Sequence, residues 1–371
     1  MKVLINALQA NNRSGTGVYA AQLAKRLPRI AHPGETVFAW PKDLAVPDQG
    51  RRPNATFVAR GHAGPLARLR YDQWGIRADL RALRADVVHY PANVGCVTPL
   101  RNMVVTIHDM TFFLHPEWFR YERAQYYRWA VARSARHAAR IIAVSRASAN
   151  DIVEVLRIPA DRIDVVYQGA DERFAPATEI ERAAARAKYD LPERFVLCYG
   201  TIEPRKNLGR LIQAWSSIAD TVEHDLVIAG RMGWKTQPVV DAADRSPHRA
   251  RIHFPGFVSD DDLPAVIGAA DAVALPSLYE GFGIGIVESM ACGVPVVTSN
   301  ISSMPEVAGG AAVLVDPLDV ESIADGLRRA IGDAAMRSEC ITRGRARAKE
   351  FSWTKTAEGA LRAYRAVAAG G

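Results

Sequence analysis

Asp271-Ala-Val-Ala-Leu-Pro-Ser-Leu-Tyr-Glu280-Gly-Phe-Gly-Ile-Gly-Ile-Val-Glu288 is the stretch on which the reading of the fold turns. Residues 271–275 are a short apolar run and predict a buried strand. Gly281, Gly283 and Gly285 follow, and a helix opens on them. A strand, a glycine-rich loop and a helix form one step of a parallel sheet. The glycines let backbone approach a ligand closely. The opening helix turns its unpaired N–H groups and positive dipole end toward the same place, which suits a phosphate. Glu280 stands in the loop and Glu288 about one turn into the helix, so the two carboxylates could hold different parts of one ligand. The plainer alternative is a glycine-rich turn with a capping acid.

The same rhythm runs outward in both directions. Strands are predicted at 2–6, 36–40, 56–59, 86–90, 103–107, 140–144 and 163–166 in the first half. In the second half they are predicted at 195–200, 225–229, 251–254, 271–275, 295–298 and 312–315. Helical stretches alternate with them, which means α/β architecture with parallel sheets covered on both faces. Two sets of about equal size meet near Gln168-Gly169-Ala170-Asp171, followed by Phe174-Ala-Pro176. Two doubly wound domains facing each other would leave a ligand cleft at the carboxyl ends of their strands. After Phe351-Ser-Trp353 the tail predicts an amphipathic helix, either the last helix of the second domain or one that crosses back to the first.

Composition narrows the class. The chain has 371 residues, 49% hydrophobic and 23% charged, as expected for a soluble globular protein. At roughly 100–200 residues per domain, two domains are expected. Disordered, collagen-like and disulfide-scaffold classes are excluded. The four cysteines, Cys96, Cys198, Cys292 and Cys340, form no CxxC pair, so no zinc or redox motif is indicated. Cys198 and Cys292 lie in apolar runs and read as buried thiols in a reducing compartment. No signal peptide is expected before the strand at 2–6, and no apolar run reaches the roughly 18–20 residues that span a bilayer. The net charge of +7 is uneven: residues 1–170 hold 24 Lys and Arg against 13 Asp and Glu, the remainder 23 against 27. A basic first half suggests an anionic partner, whether nucleic acid, anionic lipid or a phosphorylated substrate.

Further constellations could carry chemistry. Gly200-Thr-Ile-Glu-Pro-Arg-Lys-Asn207 joins a strand to a helix at 207–221, where Arg205 and Lys206 could both reach phosphate oxygens or form a solvated basic turn. His108 ends the strand 103–107; it could donate a hydrogen bond or move a proton, or be a structural His paired with Asp109. Arg13-Ser-Gly15-Thr-Gly17-Val-Tyr-Ala20 matches GxGxxA but starts well after its strand, so a flexible glycine loop is expected there and not a dinucleotide site. Asp260-Asp-Asp262 imitates a metal-binding DxD, yet Asp and Ser259 before a helical run read as caps. Residues 118–140 carry six Arg, two Trp and three Tyr in a helical frame. That mixture suits a membrane surface or a solvated helix with one packed face, and no recognised nucleic-acid motif accompanies it.

Together these residues resemble the retaining glycosyltransferases of family 4, which have the GT-B fold. Glu280 to Glu288 matches the family's E-x7-E signature, and the run from Tyr279 to Leu318 follows its pattern. GTIEPRKN at 200–207 and the final FSW also match, so the likeness covers nearly the whole chain. The nearest subgroup is the mannosyltransferase-like one that builds bacterial O-antigen and exopolysaccharide chains, which Gly230-Arg-Met-Gly-Trp-Lys235 also resembles.

The resemblance implies an acceptor-binding domain at 1–170, a nucleotide-sugar domain at 171–353, and a last helix at about 354–371 crossing back. Arg205 and Lys206 would neutralise the diphosphate near Gly200 and Thr201, without a metal and without a cofactor. Glu288 would hold the ribose. Glu280, Gly281 and the backbone of Phe282, Gly283 and Ile284 would hold the sugar. Gly256, Phe257 and Val258 would lie near the base, His108 near the transferred sugar, and Gly15 and Gly17 near the phosphates or acceptor. Thr201 stands where several relatives have Arg, so the clamp would rest more on Arg205 and Lys206. Ser299 and Glu306 lie in the matched run without an assigned role.

The implied chemistry is retention by front-face attack, with GDP-mannose as preferred donor. UDP-glucose, UDP-galactose, UDP-GlcNAc and dTDP-rhamnose remain open. The implied acceptor is a lipid-linked saccharide, at the cytoplasmic face of the inner membrane. An epimerase or donor hydrolase of the same fold, a non-catalytic membrane scaffold and an NAD oxidoreductase are the rival readings.

Overall fold

Strands buried on both faces read as nearly continuous apolar runs, and the central strands are of that kind. The computed structural model describes residues 1–12, 15–47, 55–61 and 64–370. Its strands are β1 Val3–Asn6, β2 Thr36–Pro41, β3 Ala55–Arg60, β4 Val87–Tyr90, β5 Met103–Ile107, β6 Arg140–Ala143, β7 Ile163–Val165, β8 Phe195–Tyr199, β9 Asp225–Ala229, β10 Ile252–Gly256, β11 Ala272–Leu275, β12 Val296–Ser299 and β13 Val313–Val315. Every one coincides with a predicted strand to within a residue or two.

They form two parallel sheets, of order β3-β2-β1-β4-β5-β6-β7 and β10-β9-β8-β11-β12-β13. In each sheet the order reverses beside its first strand, β1 next to β4 and β8 next to β11. Loops leaving the carboxyl ends of such a pair diverge and open a crevice. The chain divides accordingly into two units, Met1–Gly169 with Ser352–Gly371, and Ala170–Phe351.

In the first unit the tail returns as the helix Trp353–Ala369, with the Ser352 hydroxyl accepting from the Lys355 N–H at its start. It packs on the helix Gly15–Ile30, burying Trp353, Leu361 and Tyr364 with Tyr19, Leu23 and Leu27. Burying a large apolar side chain contributes roughly 2 kcal/mol, so these contacts fix the tail firmly. Polar ties add direction: the Thr356 hydroxyl donates to the Tyr167 carbonyl at 2.7 Å, and the Tyr364 hydroxyl meets His89 Nδ1 at 2.7 Å. Gly169 must be glycine, because a Cβ there would lie 2.2 Å from the Trp353 nitrogen.

In the second unit the helix Leu208–Ile218 covers the sheet through fully buried Leu211 and Trp215 and packs on the helix Val320–Gly332. Cys198 and Cys292 are buried free thiols, and burial pushes both up to about 12.

Candidate functional site

At the switch point of the second sheet, the loops after β8 and β11 carry the residues singled out in the sequence. Gly200 turns with φ +121° and donates its N–H to Ala229 at 3.0 Å. The β9 loop crosses so closely that a Cβ on Gly230 would sit 1.8 Å from the Gly200 carbonyl oxygen. A short 3-10 turn, Pro204–Lys206, follows. Asn207 then adopts φ +59°, and its buried amide donates to the carbonyls of Pro276 (3.0 Å) and Pro317 (2.7 Å). The Leu278 N–H donates to the Arg205 carbonyl at 2.8 Å. These bonds pin one loop on the other.

The pinning brings Arg205 and Lys206 onto Glu280. Lys206 Nζ lies 2.8 Å from Glu280 Oε1, which also accepts from the Ser277 hydroxyl at 2.9 Å. The Arg205 guanidinium pairs with the other Glu280 oxygen and donates to the Tyr279 carbonyl at 3.2 Å. From its other side Glu203 accepts from Nε at 2.9 Å and Nη2 at 2.7 Å. Burial would raise the Glu280 carboxyl, but the charges of Arg205 and Lys206 outweigh it and hold the group down at about 2. Its backbone carbonyl accepts from the hydroxyls of Ser302 (2.6 Å) and Ser303 (2.8 Å). Two cations and two carboxylates thus interlock at the end of the sheet. Among the described residues the Lys206 ammonium makes no other hydrogen bond, so two of its N–H donors are not used by the protein.

The helix from the glycine loop runs from Ile284 to Ala291, with Gly283 at φ +86° as its N-cap residue. Buried Phe282 stands edge-on to Phe351, ring centres 5.6 Å apart. Glu288, one turn in, accepts from the Tyr199 hydroxyl at 3.2 Å, and Tyr199 also donates to the Gly285 carbonyl at 2.9 Å. Burial pushes the Glu288 carboxyl up to about 7, against the hydrogen bond from Tyr199. The two acids of the loop and helix are therefore different groups: one locked ionised, one titrating near neutrality.

Beside them Gly256 (φ +79°) ends β10. Phe257 is 39% exposed under the Arg231 guanidinium, 4.2 Å from its ring centre, whereas the Val258 side chain is buried. Thr201, in the loop after β8, is exposed. Ser299 is buried and donates to the Ser277 carbonyl at 2.6 Å, which supports the Glu280 loop from below. Glu306 offers its backbone carbonyl to Arg347 at 2.7 Å.

Some sequence readings need correction. Of the expected caps, Ser259 accepts from the Asp262 N–H at 3.2 Å, but Asp262 at the start of the helix Leu263–Ala269 makes no side-chain cap; its carboxylate pairs with Lys188 (2.7 Å) and accepts from the Tyr189 hydroxyl (2.6 Å). The glycines expected in a flexible loop open the helix Gly15–Ile30 instead; Arg13 and Ser14 lie outside the described residues. A Cβ on Gly17 would fall 1.7 Å from the Asn12 carbonyl oxygen, so close approach explains that glycine.

In the first unit Tyr19 of this helix meets the His108 ring edge-on at 4.9 Å. His108 is not paired with Asp109, whose carboxylate accepts from the Thr111 N–H at 3.0 Å. The Pro91 carbonyl, 3.1 Å from Nε2, can only accept, so Nε2 carries the proton. Nδ1 then accepts from the Gln168 amide at 3.1 Å. Burial lowers the His108 pKa, so the ring is neutral with both nitrogens engaged. The arginine-rich stretch forms the helix Tyr121–His137, packed through Ala124, Val131 and Ala135, with Tyr121 74% and Trp129 54% exposed. No helix among the described residues is long and apolar enough to cross a membrane.

Glu203, Tyr199, Ser277, Asn207 and Gln168 join these sites although the sequence reading assigned none of them a role there. Only Asn207, next to the Arg-Lys pair, carried a local signal, as a residue that tolerates positive φ.

The sequence pattern described as "Glycosyl transferases group 1" matches residues 180–347, and that described as "Glycosyltransferase Family 4" matches residues 13–174. The chain is 31% identical over 365 residues to "O-antigen chain mannosyltransferase B" of Escherichia coli, covering 95% of this chain and 96% of that protein. It is 33% identical over 237 residues to "Serotype-specific mannosyltransferase WbdA" of the same organism, 60% of this chain but 28% of that one. Among solved structures, HepE of Anabaena in complex with UDP and glucose superposes with a TM-score of 0.72 at 21% identity, covering 98% of each chain. Sucrose-phosphate synthase of Thermosynechococcus elongatus gives 0.76 at 19% identity over the whole of both chains. The fold these share is GT-B.

Proposed function

The chain belongs to the group 1 glycosyl transferases of glycosyltransferase family 4, and on that footing we propose that it moves a mannosyl residue from GDP-mannose to a lipid-linked saccharide, with retention at the anomeric carbon. The observation that carries the site assignment is the convergence of Arg205 and Lys206 on Glu280 at the switch point of the second sheet. Mannose as the sugar is supported by the full-length likeness to an O-antigen mannosyltransferase.

The departing diphosphate is the centre of charge development. Arg205 and Lys206, fixed beforehand by Glu203 and Glu280, meet that charge with little reorganisation. Metal-independent action is part of the proposal, because the two cations Arg205 and Lys206 can neutralise the diphosphate in place of an ion. Glu288 accepts from the ribose hydroxyls in its ionised form. The helix start at Gly283–Ile284 and the Glu280 carboxylate orient the sugar. Both Glu280 oxygens are already engaged, by Arg205 on one and by Lys206 and Ser277 on the other. That favours a positioning role over nucleophilic attack. The acceptor hydroxyl attacks from the face that the phosphate leaves and passes its proton to the departing phosphate oxygen. Exposed Tyr121 and Trp129 on an arginine-rich helix of the first unit support an acceptor presented at a membrane surface.

The test is transfer itself. Purified protein is given GDP-mannose, UDP-glucose or dTDP-rhamnose with a diphosphate-lipid-linked oligosaccharide, and the product is read by NMR. An α-mannosyl product from GDP-mannose supports the proposal. Transfer from a UDP- or dTDP-sugar alone overturns the donor. Turnover of donor without glycosylated acceptor overturns the transfer reading in favour of an epimerase or hydrolase.

A further inference from the structure

The opposite end of the second sheet holds a cavity of about 300 Å³ that the proposed reaction does not use. It lies where Asp271 leads into β11 and Pro295 leads into β12, at the amino ends of the strands. Glu280 and its partners follow the carboxyl end of β11. A four-residue strand spans about 13 Å, so the two places are distinct.

Four arginines line the cavity. Arg182 and Arg186 come from the helix Glu179–Tyr189, Arg337 and Arg345 from the helix Ala334–Ala348. Asp271 is the one acid of the lining. Glu179 pairs with Arg182 at 2.6 Å and with Arg186 at 3.5 Å. Even with Glu179 counted, positive charge exceeds negative by two.

Part of this charge has a structural use. Arg186 donates to the Ala269 carbonyl at 3.3 Å, and Arg337 donates to the carbonyls of Asp271 (2.7 Å) and Ala330 (2.9 Å). The rest does not. The Nε atoms of Arg182 and Arg186 are buried without an acceptor. The Arg345 guanidinium makes no hydrogen bond or ion pair among the described residues, and it stands beside Gly293 at the cavity wall. The two buried Nε donors are costly unless an anion or water compensates them, and the exposed Arg345 adds a guanidinium without a protein partner among the described residues at the same concavity.

The lining also limits the ligand's shape. It carries no aromatic side chain on which a base could stack, and Gly268, Ala269 and Gly293 leave room only by being small. A cavity of this size is at the lower end for small-molecule sites. We propose that this cavity is a second anion site, distinct from the donor site, and that it takes a compact phosphate-bearing molecule, a diphosphate or sugar phosphate without a nucleobase.

The probe is inorganic pyrophosphate, titrated calorimetrically into the full chain at fixed ionic strength. Pyrophosphate can enter the donor site as well, so the titration is run in the Lys206→Ala background. There one equivalent should still bind. Adding Arg182→Ala and Arg345→Ala should weaken that binding at least tenfold, and Arg182→Lys with Arg345→Lys should restore part of it. Melting temperature without pyrophosphate checks that each variant folds; should the alanine pair not fold, Arg345→Glu alone replaces it. Binding that vanishes in Lys206→Ala, or persists unchanged in the arginine variants, overturns the proposal. Failure of the donor reading would show separately, as nucleotide binding indifferent to Lys206→Ala.

Discussion

Lys206 Nζ and Glu280 Oε1 stand 2.8 Å apart at the end of the central strands of the second sheet, one residue from each of the two loops that diverge there. The pair is a scaffold as well as a contact. Glu280 occupies the cations while no donor is bound, and Arg205 is kept from swinging away by Glu203. In the proposed reaction the donor diphosphate meets charges already in place, the condition under which such charges stabilise a transition state most.

Lys206→Ala is therefore expected to lower kcat/KM by about 10²–10³-fold, the loss typical of one preorganised donor at a developing charge. Steady-state kinetics with saturating acceptor checks it. Lys206→Arg should recover part of the loss. A fall of less than threefold would place the diphosphate elsewhere.

Glu288 predicts a pH dependence of donor binding. Burial pushes its carboxyl up to about 7, and in the proposed donor complex the ionised form accepts from the ribose hydroxyls. Below pH 7 the acid is protonated in the donor-free protein, so affinity should fall as pH falls. Between pH 8 and pH 6 the ionised fraction drops about tenfold, and Kd should rise by a similar factor. Calorimetry across that range reads it directly. Glu288→Gln should weaken binding and flatten the profile; a wild-type profile already flat would contradict the assignment.

His108 should not supply the pH profile of kcat. Its ring is neutral, with Nε2–H given to Pro91 and Nδ1 receiving from Gln168, and burial lowers its pKa further. His108→Ala is expected to reduce kcat through lost positioning while leaving both limbs of the pH–rate curve where they were. Disappearance of an acid limb in the variant would instead make His108 a proton carrier.

The tail gives a stability prediction. Tyr364→Phe removes the 2.7 Å partner of His89 Nδ1 inside the first unit, where burial lowers the His89 pKa to about 3. Leaving that buried nitrogen unpaired should cost about 1–3 kcal/mol. Chemical denaturation of the variant measures it, and a shift under 0.5 kcal/mol would mean that the Tyr364–His89 contact adds little to holding the tail.

Both sheets were legible in the sequence because buried parallel strands leave uninterrupted apolar runs, as in Val3–Asn6 and Phe195–Tyr199. The charged motifs were legible one by one, since Arg205-Lys206 and Glu280 each sit in a short turn-rich loop. Their meeting was not, because it depends on Asn207 reaching carbonyls 69 and 110 residues away. Tyr199 reads only as the last residue of a strand, yet its hydroxyl serves Glu288, 89 residues on. His108 gave no sign of its partners, 17 and 60 residues distant. Gly15 and Gly17 look like loop glycines by composition. The helix there exists because the tail helix buries its apolar face, a contact between chain ends that no local pattern records.

The most direct test of the donor assignment is calorimetric titration of GDP, UDP, dTDP and ADP, each with and without its common sugars, into the whole protein in EDTA. The account predicts tight binding of one nucleotide, GDP, that survives EDTA and is strongly weakened by Lys206→Ala and by Glu288→Ala. Binding that requires a divalent metal ion, or that is untouched by both substitutions in folded protein, would contradict it.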